Sequence, residues 1–346
     1  MINKLELQAL KKWFFNNKRE FSFRENPTPY SVWISEVMLQ QTRASVVVSY
    51  FNRWMQLFPD IESLAKANIS QVMKAWEGLG YYSRAKRLHI AANELVEKHK
   101  AKIPDDPQVL KTITGIGPYT VGAILSFAFR KKAPAVDANV IRVITRFFGI
   151  EMEVSKSEAK KLIEDKTLLF LEGEKPYVIM EALIELGALV CQKKPICSMC
   201  PLKENCKANR ENKAEYLPLK KEKKSTVPIT RMAFILQYDE EFLIFQEKKE
   251  LMNGLYQFPY IDSEYVTESE LHIWLKEKEM PYQKVERLVS VKQFFTNFKV
   301  TIYPFLIRVT KKVPVSDMQW VTYSKMKTLA FCSGHRRIVN QLKDVS

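Results

Sequence analysis

Four of the chain's five cysteines fall within a single stretch of sixteen residues, CQKKPICSMCPLKENC, as Cys191, Cys197, Cys200 and Cys206. In a sequence otherwise so poor in cysteine, that density points to thiolates converging on a soft cation. It commits this part of the chain to one loop wrapped around one ion or cluster. A disulfide framework is the rival reading, but a chain of 346 residues buries enough core to need no staples. Zinc ribbons ordinarily supply two separated CxxC knuckles. Here one CxxC is flanked on each side by a single cysteine after a five-residue gap. Zinc and a four-iron four-sulfur cluster are the two candidates at this point.

The length predicts two domains. The opening residues, MINKLELQALKKWFFNNKREF, place apolar and charged side chains at helical spacing. That is neither a secretory leader nor a membrane span, so the expectation is a cytoplasmic protein with no membrane partner. Lys and Arg exceed Asp and Glu by 15, with a pI near 9.4. An excess of that size fits a polyanionic partner, although solvated lysines alone produce the same balance.

From about residue 4 to residue 210 the pattern is helical. Ala85, Leu88, Ala92 and Leu95 follow one helix face behind Ser83, Asp106 followed by Pro107 reads as a helix start, and Ser155 with Glu158 reads as a capping box. The segment LPLKKEKKSTVP, 217–228, is charged and aperiodic and reads as a linker. Beyond it, 229–238 and 241–248 read as strands around Asp239 and Glu240, and 288–310 supplies more strand material. A last amphipathic helix is expected over 335–342. The isolated Cys332 reads as a buried hydrophobe.

Residues 110–125, LKTITGIGPYTVGAIL, require a helix to break at Gly115, turn through Gly117 and restart after Thr120. Glycine permits close backbone approach there, and the restarted helix would expose amides to a phosphate oxygen. An ordinary helical joint has the same spacing. Together with PAVDANVIRV, 134–143, this stretch resembles the helix-hairpin-helix and following Asp segment of the DNA glycosylase superfamily that includes endonuclease III. Three further segments, VWISEVMLQQTR (32–43), AWEGLGYYSRAKRLH (75–89) and EALIELGALVC (181–191), narrow the resemblance to the MutY-type adenine DNA glycosylases, and it extends over nearly the whole chain.

That resemblance implies a mainly α N-terminal region of the helix-hairpin-helix glycosylase fold, with two helical lobes and the active site between them, and an α+β Nudix-like C-terminal domain. The expected boundaries are 25–129 for the six-helix-barrel lobe with the hairpin, 1–24 and 130–216 for the cluster lobe, 217–228 for the linker and 229–346 for the C-terminal domain. It also implies one 4Fe-4S cluster on Cys191, Cys197, Cys200 and Cys206, with zinc the alternative. The expected partner is double-stranded DNA carrying an 8-oxoguanine:adenine or guanine:adenine mismatch, bound by a monomer associated with the nucleoid. The implied activity is monofunctional excision of the flipped adenine in base excision repair. The first cysteine gap is one residue shorter than in such relatives.

Cleaving an N-glycosidic bond needs a proton for the leaving base and negative charge beside the developing oxocarbenium ion. Glu36 lies among Trp33, Ile34, Val37 and Met38, where desolvation would raise its pKa; in the similar enzymes the matching residue is the acid. Asp137 sits where a helix N-cap is expected and matches the carboxylate that stabilises the cation, with Asn139 orienting it. The cap is expected to keep its pKa low, and Tyr119 to hydrogen-bond near it. Bifunctional relatives carry lysine at the position of Tyr119, so no strand-nicking lyase is expected. By the same correspondence Arg24 and Glu181 line the base pocket, with Phe23 where relatives have tryptophan. Gln41, Thr42, Leu79, Tyr81, Gly115 and Gly117 contact DNA, and Gly78 and Gly80 present Leu79 as a wedge on an exposed turn. LMNGLYQFP, 251–259, resembles the family's C-terminal domain, which lacks the REUxEE carboxylates of Nudix hydrolases here and is left with recognition. Phe295, Thr296 and Asn297 stand where relatives read Phe-Ser-His against 8-oxoguanine.

Overall fold

The computed structural model describes residues 2–173, 175–221, 225–249, 252–295 and 297–344. Its chain divides into two compact units, one of Met1–Lys66 with Arg87–Glu222, the other of Ala67–Lys86 with Lys223–Ser346. The division passes through the helix Ser83–His99, whose first residue is the serine expected to cap it.

Among its described residues the first unit is helical. Its most buried element is the helix Pro29–Leu39, entered through Thr28, whose hydroxyl accepts from Ser31 N at 3.1 Å, with proline at the first helical position. Every residue from Tyr30 to Met38 is buried, with Trp33 1% and Ile34 and Met38 0% exposed, so this helix is a core strut, apolar on nearly all sides. Asp106 caps Pro107–Thr112 as expected, accepting from Gln108 N at 2.6 Å and Val109 N at 3.2 Å. The hairpin follows. Gly115 takes φ +79°, and a Cβ there would sit 2.8 Å from Arg87 Cβ, so glycine serves both the turn and the close approach. The second helix restarts at Pro118, two residues before Thr120, with Gly117 as its N-cap, no side-chain cap and open space over Gly117. It then widens into a π-helical turn over Ile124–Ala128.

The helices Ala138–Phe148 and Pro176–Leu189 pack together, crossing closely enough at Gly187 that an added Cβ would lie 2.6 Å from Asn139 Cβ. The capping box at Ser155 does not form. Its hydroxyl turns back to the Glu153 carboxylate, and the helix Ser157–Phe170 starts two residues later with no side-chain cap.

The second unit is built on one sheet with strands β1 (Val227–Tyr238), β2 (Glu241–Gln246), β3 (Tyr256–Gln257), β4 (Tyr260–Asp262), β5 (Tyr282–Arg287), β6 (Val291–Phe295), β7 (Phe298–Val309) and β8 (Met318–Thr322). The expected strand pair turns at Asp239, φ +49°. The order is β3-β2-β1-β7-β5, with β4 also on β1, β6 on β7 and β8 on β2. β1 and β7 run parallel at the centre, Ile235 opposite Leu306. Both faces are covered, which is why β1 reads as an unbroken apolar run. Ala233 and Ile235 pack with Ile338 and Val339 of the helix Ser333–Gln341, and Met232, Phe234 and Leu236 with Leu271, Trp274 and Leu275 of the helix Glu268–Glu277. Cys332 is 1% exposed, a core residue as expected. Thr296 and the first residue of the 251–259 segment, Leu251, lie outside the described residues.

Candidate active site

A cavity of about 830 Å³ opens in the helical unit, and its wall carries Arg24, Glu36, Gln41, Thr42, Tyr119, Asp137 and Asn139. Seven residues singled out from distant parts of the sequence thus meet on one surface. Glu36 comes from the buried strut and is 6% exposed. Burial pushes its carboxyl up to about 7, against the Tyr119 hydrogen bond and the charge of Arg24, while the charges of Asp137 and Glu181 push the same way as burial. The Tyr119 hydroxyl donates to Glu36 Oε2. That corrects the expectation of a bond near the aspartate: the hairpin's second helix delivers the phenol to the strut.

Asp137 is the N-cap of Ala138–Phe148, accepting from Asn139 N at 2.9 Å and Val140 N at 2.8 Å on Oδ1 and from Asn139 Nδ2 at 2.7 Å on Oδ2. Its pKa is nevertheless raised, where a low value was expected. Burial outweighs these donors and the charge of Arg142.

Arg24 stands on the wall beside Phe21 and the buried Phe23, but its carboxylate partner is Glu185 and not Glu181. Glu185 has no exposed side-chain surface and takes Arg24 Nη1 at 2.7 Å, Arg19 Nε at 2.8 Å and Arg19 Nη2 at 3.1 Å. Burial alone would raise Glu185, yet its two arginines hold it below the usual carboxylate range. Glu181 is one turn earlier on the same helix and off the cavity wall; burial raises its carboxyl against the pull of Arg24 and Lys18. Arg19, Arg43 and Gln40 also line the cavity. Sequence reasoning missed them, together with Glu185.

Asn139 is held in turn by Arg142, whose Nη2 donates to Asn139 Oδ1 at 2.8 Å and to Gly187 O at 2.5 Å, and whose Nε donates to Cys191 O at 2.5 Å. One turn on, Arg146, 2% exposed, donates to Gln192 O at 2.6 Å, Lys193 O at 3.1 Å and Leu217 O at 3.0 Å, and its Nη1 lies 3.3 Å from Cys191 Sγ. The four cysteines, none in a disulfide, line one small cavity with Arg146 and Lys203. Burial pushes Cys200 up to about 12, with the other three sulfurs adding, and raises Cys197 and Cys206. Among the described residues no three His, Cys, Asp or Glu side chains are grouped as ligands of a single metal ion. The donor set suits thiophilic metal chemistry, spread around a cavity.

The remaining expected contacts fall elsewhere. Gly115 and Gly117 form the hairpin turn described above. In the other unit Gly78 and Gly80 both take positive φ, as an exposed turn demands, and Tyr81, φ +47°, is 59% exposed. Leu79 is not presented there. It is 6% exposed, its carbonyl accepting from Arg84 Nη2 at 3.1 Å, so the turn folds its side chain inward. Phe295 ends β6 and packs on the core, while Asn297 is exposed and its carbonyl accepts from Val227 N at 2.7 Å.

Residues 34–167 match the family described as HhH-GPD superfamily base excision DNA repair protein, and residues 231–341 match the NUDIX domain. The chain is 34% identical over 308 residues to the adenine DNA glycosylase of Buchnera aphidicola subsp. Acyrthosiphon pisum (strain APS), covering 87% of this chain and 86% of that protein. With the Homo sapiens adenine DNA glycosylase it shares 35% identity over 219 residues, 60% of this chain and 40% of that one. A thermostable thymine-DNA glycosylase superposes with a TM-score of 0.55 at 25% identity, covering 60% of this chain and 96% of its own. Endonuclease III in a non-covalent DNA complex gives 0.52 at 20% identity over 61% and 99%, a likeness of fold alone. The architecture is a helical endonuclease III-like region followed by a sheet-rich Nudix-like domain. A relative of this identity, matched across most of both chains, places the protein in the adenine DNA glycosylase family of base excision repair enzymes.

Proposed function

We propose that this protein is a monofunctional glycosylase that extrudes adenine paired with 8-oxoguanine, or with guanine, from duplex DNA and hydrolyses its N-glycosidic bond. The observation that carries the reading is Glu36, buried, raised to about 7, and sharing one cavity with Asp137 and Tyr119. A carboxylic acid that keeps its proton near neutrality can protonate the adenine ring, which turns the base into a leaving group. Tyr119 holds Glu36 in place. Asp137, fixed by Asn139 and the helix amides, supplies negative charge beside the sugar as the cation develops. Glu36, ionised once the base has left, then draws a proton from the attacking water. Arg24, held by Glu185 behind it, reads the extruded base, and Gln41 and Thr42 stand at the cavity wall to meet the strand.

The hairpin's open Gly117 turn, followed by a helix start with no side-chain cap, suits a phosphate. Tyr81 is the exposed side chain of the wedge turn, and Phe295, Thr296 and Asn297 are the residues that would read the opposite base. Asn297 lacks the imidazole of relatives. The four cysteines would hold a 4Fe-4S cluster, a reading supported by four thiols that line one small cavity, with zinc the alternative. Its contribution when bound is structural, fixing a loop whose Lys193, Lys194, Lys203 and Lys207 are exposed toward solvent and available to phosphates. The protein would act as a monomer. Among the described residues no helix is long and apolar enough to cross a membrane.

An end-labelled 8-oxoguanine:adenine duplex tests the reaction class. The proposal expects an intact strand after incubation and cleavage at the adenine position only after hot alkali. Strand cleavage without alkali would mean a lyase, and no cleavage in either condition would mean a protein that binds without reacting.

A further inference from the structure

The turn that carries Tyr81 is gripped from both sides by the backbone of a single residue of the sheet domain, Phe331. Glu77, the residue before Gly78, accepts from Phe331 N at 2.9 Å, and Tyr82, the residue after Tyr81, donates its hydroxyl to Phe331 O at 3.5 Å. The same hydroxyl accepts from Gly78 N at 3.1 Å, closing the turn on itself. Glu77 is further fixed by Arg336 Nε at 2.7 Å and Lys74 Nζ at 2.6 Å, its side chain 13% exposed. Arg336 and Lys74 also donate to Leu329 O, at 2.5 Å and 3.2 Å. Phe331 is fully buried and lies in the same core cluster as Val291 and Phe295 of β6 and Phe298 of β7, the two strands of the hairpin that ends at Asn297. Residues 67–86 accordingly belong to the compact unit of the sheet.

We propose that Glu77 is a positioning residue for base extrusion: with Tyr82 it seats the Tyr81 turn on the Phe331 backbone, so that the residues that read the opposite base and the turn that displaces adenine belong to one rigid body. This rests on the reading that the chain excises adenine opposite 8-oxoguanine. Two glycines with positive φ give the backbone of the turn little intrinsic stiffness, so its shape depends on hydrogen bonds such as those of Tyr82 and Arg84. An element that must unstack a base has to be braced against something that does not yield. A charged carboxylate taking three donors supplies that brace. Phe331, shared between the brace and the core under the hairpin, makes a contiguous packed connection between the two tasks.

The test compares single-turnover adenine release from a fully paired 8-oxoguanine:adenine duplex with release from the same adenine in an unpaired bubble, where no extrusion is needed. Glu77→Gln and Tyr82→Phe should each slow the paired substrate about tenfold and leave the bubble unchanged, and the double variant should lose less than the product of the two. Equal loss on both substrates, the mark of a purely structural defect, or no loss on the paired one would overturn the role of Glu77. Wild-type protein that releases adenine from neither substrate would instead sink the functional reading beneath it.

Discussion

Glu36 is an ionisable group on a helix with almost no solvent, and its proton has a thermodynamic consequence as well as a chemical one. Its carboxyl moves from an ordinary 4.5 to about 7 on folding. The folded state therefore binds more protons than the unfolded state between those values. The group leaves stability untouched below pH 4.5, costs progressively more as pH rises toward 7, and levels off at a cost on the order of 3 kcal/mol above that. Glu36→Gln removes the cost and can still accept from Tyr119. Urea unfolding should show the variant gaining on the wild type by about 3 kcal/mol between pH 4 and pH 9, and equal pH dependence in the two proteins would contradict the burial account. Over the same range wild-type excision should decline above pH 7 as the acid loses its proton. At this scale the sequence was partly legible. The apolar setting of Glu36 announced its raised pKa, and resemblance named its role. Glu185 was not legible: the helix carries acids at 181 and 185, a turn apart on one face, and only the docking of Arg19 and Arg24 decides which one is bridged. Asp137 misled because a cap predicts donors and says nothing about how much solvent the fold removes.

The helix Ala138–Phe148 shows how one element serves both chemistry and framework. Asp137 caps it, Asn139 steadies the cap, Arg142 ties Asn139 to the carbonyls of Gly187 and Cys191, and Arg146 staples the cysteine loop a turn later. Arg142→Gln strips donors from three buried or half-buried acceptors at once, each worth about 1–3 kcal/mol when left unmet. Single-turnover excision should fall at least about tenfold, with a lowered melting temperature, and an unchanged rate would show that Asp137 needs no support from behind. Glycine spacing gave away the break at Gly115, but the second helix restarts at Pro118, two residues before the expected place, and resemblance was needed to tell the hairpin from an ordinary helical joint of the same spacing. The wedge turn was legible from Gly78 and Gly80, yet the inward tuck of Leu79 depends on Arg84 reaching back to its carbonyl, which no local rule contains. Likewise the capping box at Ser155 had the right letters and lost to the neighbouring Glu153.

Across the whole molecule, the helical run, the change of composition after residue 216 and the cysteine loop were all readable, because each follows from periodicity or from the chemistry of a residue type. The parallel pairing of β1 with β7 was not, since it joins residues 71 positions apart, Val227 with Phe298, through tertiary packing alone. Nor was the assignment of residues 67–86 to the unit of the sheet. The cysteine loop makes its own prediction: purified protein should be brown and carry about four irons and four sulfides per chain, and Cys200→Ser should lose iron and stability together, because the metal's binding energy is folding energy. Stoichiometric zinc in a colourless protein would contradict it. The central claim, that Glu36 and Asp137 carry the bond cleavage, is tested most directly by single-turnover adenine release and duplex binding measured side by side for Glu36→Gln and Asp137→Asn. The account predicts that each variant binds an 8-oxoguanine:adenine duplex about as tightly as wild type and releases no adenine; release at the wild-type rate by either would contradict it.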